Sequence, residues 1–490
     1  MNETPSPAAQ PIVTRKKVLH GIAFTVASQG GKVAINFIGT IILARLLLPS
    51  DFGLLAAVNP ILGFAVQLQN LGLTQAIIQR DTITREQTNA LFWVSIAISA
   101  SIAAVVCLAA PWIADFFHDE RLIPLYIISS VSIILAAASA QPIALLNRNL
   151  QFRAIAVRDM IATTLTTAIT IYVAWETHSY WALVIGQILP PLVTLVICAR
   201  AARWFPGMPR FDKEAMGMIR FGASVSLFNM SNFLARNLDN VMIGHFETSH
   251  ALGLYDRAYK LLMYPLTQGI FPVGRVILPT LSKLKGDPVR YRFAYLRTMK
   301  GLLILIHPAL LVTIAFSDLV IGVLLGARWL EAAAIFSVLG IAGLHQMFTS
   351  TLGWLYVSQG RGGDYAKLGF VVSPVTIASF VIGIHWGVLG LTMVYAASEL
   401  LIRFPYTMWH VGRSGPISSR YLLKAIAPNM LALASTTAAL YLLSRYSGLG
   451  PILQLVAATA IAYVAYVATL ALFPSDRKLL TGMISLRHGL

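Results

Sequence analysis

Cysteine is almost absent from this chain: its 490 residues contain two, Cys107 and Cys198. Both sit inside apolar runs without the spacing of a metal site or a disulfide framework, so they read as small core residues. Charge is scarce as well. Charged side chains make up 12% of the chain against 57% hydrophobic residues, a balance that excludes both a soluble domain and a disordered chain. No glycine-rich phosphate loop, no paired catalytic carboxylates in a domain and no His/Cys cluster at ligand spacing can be found. These absences argue against an enzyme, against transport driven by nucleotide hydrolysis, and against a bound cofactor or metal.

What the sequence has instead is repeated apolar runs long enough to cross a bilayer, at a mean hydropathy of +0.71. The expected fold is an all-α polytopic membrane protein with about 14 transmembrane helices. They fall near 21–47, 52–78, 88–116, 122–146, 155–175, 180–199, 221–246, 252–280, 301–325, 330–357, 366–385, 387–409, 421–443 and 451–473. The first is too long for a signal-peptide core and lacks a clear cleavage site. Residues 1–20 read as a disordered cytoplasmic N-terminus and 474–490 as a cytoplasmic tail.

The net charge of +17 reports orientation. Most of the 37 Lys and Arg residues fall on one side of this path, in groups such as Arg15–Lys17, Arg200–Arg220 and Lys283–Lys300. Arg45, Arg121, Arg328 and Arg445 lie opposite. By the positive-inside rule both termini are cytoplasmic, and no nucleic-acid partner is implied. The Lys283–Lys300 run could also touch anionic headgroups, although a loop obeying the charge rule is the simpler reading.

One span departs from the apolar pattern. Phe221–Phe246 carries Asn229, Asn232, Arg236, Asp239 and Asn240 on one helical face. A central Arg or Asp costs roughly 2.5–3.5 kcal/mol to insert, and each large apolar residue returns only about 0.3–0.6. The stripe must therefore face other helices or a hydrated cavity. Lys32, near the midpoint of the first span, and Arg257 and Lys260, one turn apart in the eighth, are further intramembrane cations. Asn59 lies in a polar seam of the second span beside Pro60.

Asp239 can pair with Arg236, Arg257 or Lys260, either as a structural lock or as an ion-coupling site for H+ or Na+. The surplus positive charge suits a phosphate or diphosphate substrate. Substrate-binding candidates are thus Lys32, Arg236, Arg257, Lys260, Asn59, Asn232 and Asn240. Glu399 and Arg403, four apart near a helix end, read as a helix-surface pair. His307 and His345 read as satisfied core residues.

A faint repeat aligns 41–55 on 241–255 without gaps and places Gly53 over Gly253. It implies parallel halves: an N-lobe over 21–200, a linker over 201–220, a C-lobe over 221–410 and two appended spans over 421–473.

The segments LARLLLPSDFGLLA (43–56), QNLGLTQAIIQR (69–80), RNLDNVMIGHF (236–246), LGLYDRAYKLLMYP (252–265) and VILPTLSKL (276–284) give the chain its resemblance to a known family. It resembles the Wzx-type flippases of the polysaccharide transporter family, in the lipopolysaccharide, colanic-acid and teichuronic-acid export subgroup. That resemblance implies the multidrug/oligosaccharidyl-lipid/polysaccharide superfamily fold, with two pseudo-symmetric six-helix lobes and two additional helices. It also implies an undecaprenyl-diphosphate-linked oligosaccharide as substrate, moved by alternating access across the bacterial inner membrane, with a polysaccharide polymerase and a chain-length regulator as partners. A lipid II flippase or a multidrug antiporter of the same architecture is the alternative. A membrane polysaccharide polymerase or ligase fits the short outer loops less well.

Overall fold

A computed structural model describes residues 15–70, 77, 83–149, 151–208 and 237–485, and those residues form helices and connecting turns. In chain order the first seven helices are α1 (Arg15–Leu46), α2 (Pro49–Asn70), α3 (Arg85–Phe116), α4 (Leu122–Ser129), α5 (Val131–Arg148), α6 (Phe152–Thr177) and α7 (Trp181–Ala202). After the undescribed 209–236 come α8 (Leu238–Phe246), α9 (Ser249–Lys283), α10 (Pro288–Ala315), α11 (Ser317–Leu324), α12 (Ala332–Ser358), α13 (Gly362–Gly383) and α14 (Gly387–Ser398). A π-helical turn, Glu399–Arg403, joins α14 to α15 (Phe404–Gly412). The described residues end with α16 (Ser419–Tyr446), α17 (Pro451–Ala471) and α18 (Pro474–Ser485).

Among the described residues, 10 helical segments are long and apolar enough to cross a membrane. One of them, Gly362–Gly412, runs through α13, α14 and α15. The chain reverses within it: α13 and α14 pack on each other, and Gly387 takes φ +74° at the turn. A Cβ on Gly383 would lie 2.6 Å from the Cα of Leu391, so this hairpin closes only around glycine. Helix α9 carries Asp256, Arg257 and Lys260 towards its N-terminal end, and these bear on the site below.

The described residues cluster into two compact units, the first comprising 15–46, 61–115 and 119–208, the second 47–60, 116–118 and 237–485. In the first, α1 lies along α6 through small residues: a Cβ on Gly39 would meet Thr167 at 2.5 Å and one on Gly31 would meet Met160 at 3.1 Å. Such small-residue contacts let membrane helices approach closely. The second unit centres on α9, α10 and α12, where Tyr291, Tyr295 and Tyr356 are fully buried. Each finds a polar partner for its hydroxyl, in Ser358, Thr351 and His410 respectively.

The start of α2 belongs to the second unit and meets the start of α9 there. A Cβ on Gly53 would sit 1.6 Å from the Ser249 carbonyl oxygen, and one on Gly253 would sit 1.8 Å from the Pro49 carbonyl oxygen. Pro49–Gly53 therefore touches Ser249–Gly253 reciprocally, as in a two-fold contact. These are the segments that the 200-residue repeat aligns. The low sequence identity hid the reason for the match, which is backbone packing that only glycine permits.

One expectation changes in the structure. The segment expected as a cytoplasmic loop up to Lys300 is already helical from Pro288, started by Asp287, whose carboxylate accepts the backbone N–H groups of Val289 and Arg290. Within the tail expected after 473, residues as far as Ser485 form α18.

Candidate functional site

Chain entry into α9 positions the first group of charges. Glu247 is extended, and Thr248 caps α9 by accepting the Ala251 N–H at 3.2 Å. Residues 255–260 of α9 then present Tyr255, Asp256, Arg257, Tyr259 and Lys260. Asp256 is buried and holds both cations: Oδ2 accepts from Arg257 Nη2 at 2.8 Å and Nε at 3.1 Å, and Oδ1 lies 2.8 Å from Lys260 Nζ. The Arg257 guanidinium also lies over the Phe52 ring, 4.4 Å from its centroid, and Phe52 packs edge-on against Trp329. A delocalised cation on an aromatic face is attracted by the ring quadrupole. Arg257 is thus held flat and mostly covered, whereas the Lys260 side chain is 46% exposed.

Of the three partners expected for Asp239, Arg257 and Lys260 pair elsewhere and Arg236 is outside the described residues. Asp239 is buried in the first turn of α8, where it accepts the Tyr255 hydroxyl at 2.7 Å and the Asn240 backbone N–H at 2.9 Å. Arg257 and Lys260 have turned to Asp256 instead. The reason is local: Asp256 is adjacent to Arg257 and one turn before Lys260. Beside Asp239, Asn240 is half-buried with its Oδ1 lacking a hydrogen-bond partner among the described residues. Asn59 is half-buried on α2. Asn232 and Arg236, with Asn229, lie outside the described residues.

Lys32 stands in the first unit, on α1. Its Nζ is 3.9 Å from Asp159 Oδ2 on α6, and Arg158 Nη2 is 2.7 Å from Asp159 Oδ1. Lys32 is 37% exposed, whereas Arg158 is almost covered and its Nε has no partner among the described residues. In each unit an aspartate bridges two basic side chains in this way, Asp159 between Lys32 and Arg158 and Asp256 between Arg257 and Lys260, and Asp364 does the same between Arg361 and Lys367 in the second unit.

A further buried group lies at the π-helical turn. Glu399 is 3% exposed, pairs with Arg403 and lies 3.0 Å from His345 Nδ1 on α12. The expected surface pair is thus an interior one, because the wider π-helical turn re-aims side chains on a helix already packed against α12. His345 is only half satisfied: its Nε2 has no partner among the described residues. His307 is satisfied as expected, with Nδ1 3.1 Å from the Tyr466 hydroxyl and Nε2 donating to the Leu344 carbonyl at 3.1 Å.

Sequence reading missed Asp256, Asp159 and the interior position of Glu399. The first had a plain signal, since Asp256 and Lys260 have the spacing of a helical ion pair. Asp159 comes from a distant helix and had none.

A family model described as polysaccharide biosynthesis protein matches residues 42–334. The chain belongs to the polysaccharide biosynthesis protein family. Among the relatives of this family member, the teichuronic acid biosynthesis protein TuaB of Bacillus subtilis is 27% identical over 61% of this chain, which spans 62% of that relative's length. The succinoglycan biosynthesis transport protein ExoT of Rhizobium meliloti is 24% identical over 98% of this chain and 97% of its own. Among solved structures, the lipid II flippase MurJ in an inward closed conformation matches with a TM-score of 0.74 at 14% identity, over 93% of this chain and 99% of that one. The chain thus has a MurJ-like fold.

Proposed function

We propose that this protein is a flippase for a polyprenyl-diphosphate-linked oligosaccharide, an undecaprenyl carrier bearing a capsule, exopolysaccharide or O-antigen unit. The observation that carries this reading is the match along 97% of a relative named as a succinoglycan biosynthesis transport protein, on the fold of a lipid flippase. The site chemistry supports it. Lys260 with Arg257, and Lys32 with Arg158, are cations already held in place by one shared carboxylate in each unit. A diphosphate competes with that carboxylate for the same donors, and Arg offers it a planar fork.

In this mechanism the lipid tail stays in the bilayer while the headgroup passes by alternating access in the bacterial inner membrane. The apolar runs support about 14 spans, and the charge distribution supports both termini being cytoplasmic. Asn59, Asn240 and Asn232 serve sugar hydroxyls, and Arg236 adds to the anion-binding charge. Asp239 is the ion-coupling candidate, because it is a buried carboxylate whose partners among the described residues are a tyrosine hydroxyl and one backbone N–H, both neutral. A polysaccharide polymerase and a chain-length regulator use the product.

The test is reconstitution of the full chain in proteoliposomes. It should flip a fluorescent undecaprenyl-diphosphate-linked saccharide and leave a cationic dye untransported. Dye transport with no movement of the lipid-linked sugar would make it a drug antiporter.

A further inference from the structure

We propose that the second unit carries a separate binding pocket for an anionic phospholipid headgroup, walled by the N-terminal turns of α10 and α16 and by α18. A cavity of about 510 Å³ opens there. Four cations line it, Arg297, Lys300, Lys424 and Lys478, together with the aromatic rings of Phe293 and Tyr421. Lys300 is committed: its ammonium is 2.6 Å from the buried carboxylate of Asp476, the ion pair that ties α18 to α10. The other three are exposed and have no carboxylate partner among the described residues.

Three like charges converging on one cavity repel each other unless an anion sits among them. The surroundings indicate its source. Phe293 is 64% exposed and Tyr421 47%, on helices otherwise apolar enough to cross the bilayer. Arg292 lies over the Tyr421 ring at 4.7 Å and Arg297 near the Phe293 ring at 5.8 Å, so a free phosphate would leave the uncovered parts of both rings in water, whereas a phospholipid places its phosphodiester among the cations and its acyl chains along the helices. Helix α18 has the matching asymmetry: Leu479 and Leu480 pack against Tyr466 and Leu470, while Arg477 and Lys478 face outward. That is the pattern of a helix lying in the headgroup layer. The pocket also lies at the helix ends that collect basic residues, the side on which anionic lipids attract Lys and Arg. It shares no residue with the Asp256 or Asp159 clusters.

The experiment is native mass spectrometry of the delipidated full chain titrated with dioleoylphosphatidylglycerol, with dioleoylphosphatidylcholine, and with glycerol 1-phosphate. Wild-type protein should retain phosphatidylglycerol selectively. Replacing the three free cations together, Arg297→Gln, Lys424→Gln and Lys478→Gln, should weaken that retention about a hundredfold, from roughly one surface-charge attraction per residue. A control with Lys285→Gln, Arg290→Gln and Arg413→Gln, all exposed, should keep it. Three outcomes would each overturn the proposal: equal retention of the two lipids, an equal loss in the control, or glycerol 1-phosphate binding as tightly as the lipid.

Discussion

Asp256 sets the state of the cations around it. Replacing it with asparagine leaves Arg257 and Lys260 without their shared counter-charge. Breaking a fully buried pair costs about 3–5 kcal/mol, and the exposure of Lys260 lowers the expectation for Asp256→Asn to about 2. The thermal midpoint of the purified variant should fall accordingly, and added inorganic diphosphate should restore more of it than in wild-type protein. Tyr255→Phe is a different lesion: it removes the hydroxyl that donates to the Asp239 carboxylate and should cost about 1.5–3 kcal/mol, with no diphosphate rescue. Equal rescue of both variants would mean that diphosphate does not act through the Asp256 cations. At this scale the sequence was partly legible. Residue type and helical spacing pointed to Arg257, Lys260 and Asp239, but partner choice depends on distances of an ångström or two, and on buried aromatic residues such as Tyr255 and Phe52 that carry no charge signal.

Among the elements, the reciprocal contact of Pro49–Gly53 with Ser249–Gly253 admits no side chain at either glycine. Gly53→Ala places a methyl group against a backbone carbonyl that cannot rotate away, and Gly253→Ala does the same in reverse. Each should cost about 1–3 kcal/mol, the usual penalty for overpacking, measured as a lower thermal midpoint in detergent. Gly30→Ala, where nothing lies within 4 Å, should be neutral. A neutral Gly53→Ala would show that the two helix starts are held apart in the membrane. The repeat was faint in the sequence because it reflects a steric requirement at one residue per copy, and the residues around it are free to diverge. The π-helical turn at Glu399 had no sequence signal, since apolar periodicity does not register a single inserted residue.

For the whole molecule, the apolar runs and the asymmetry of basic residues made the membrane class and helical fold readable, because each is a sum over many residues. Helix α18 was not readable: its short length and the buried Asp476 pair become meaningful only with Lys300 in place, far away in the chain. The charge clusters have the same character, being built from pairs on different helices or hidden within one motif. The central claim is that the cations of α9 move a diphosphate-linked sugar. The most direct measurement is the flipping rate of a fluorescent undecaprenyl-diphosphate-linked saccharide in proteoliposomes, for wild-type protein and for Arg257→Gln/Lys260→Gln, each shown to be folded and monodisperse. The double variant should lose at least about nine-tenths of the rate, the effect of losing about 1.4 kcal/mol of anion stabilisation. A double variant flipping at the wild-type rate would contradict the claim.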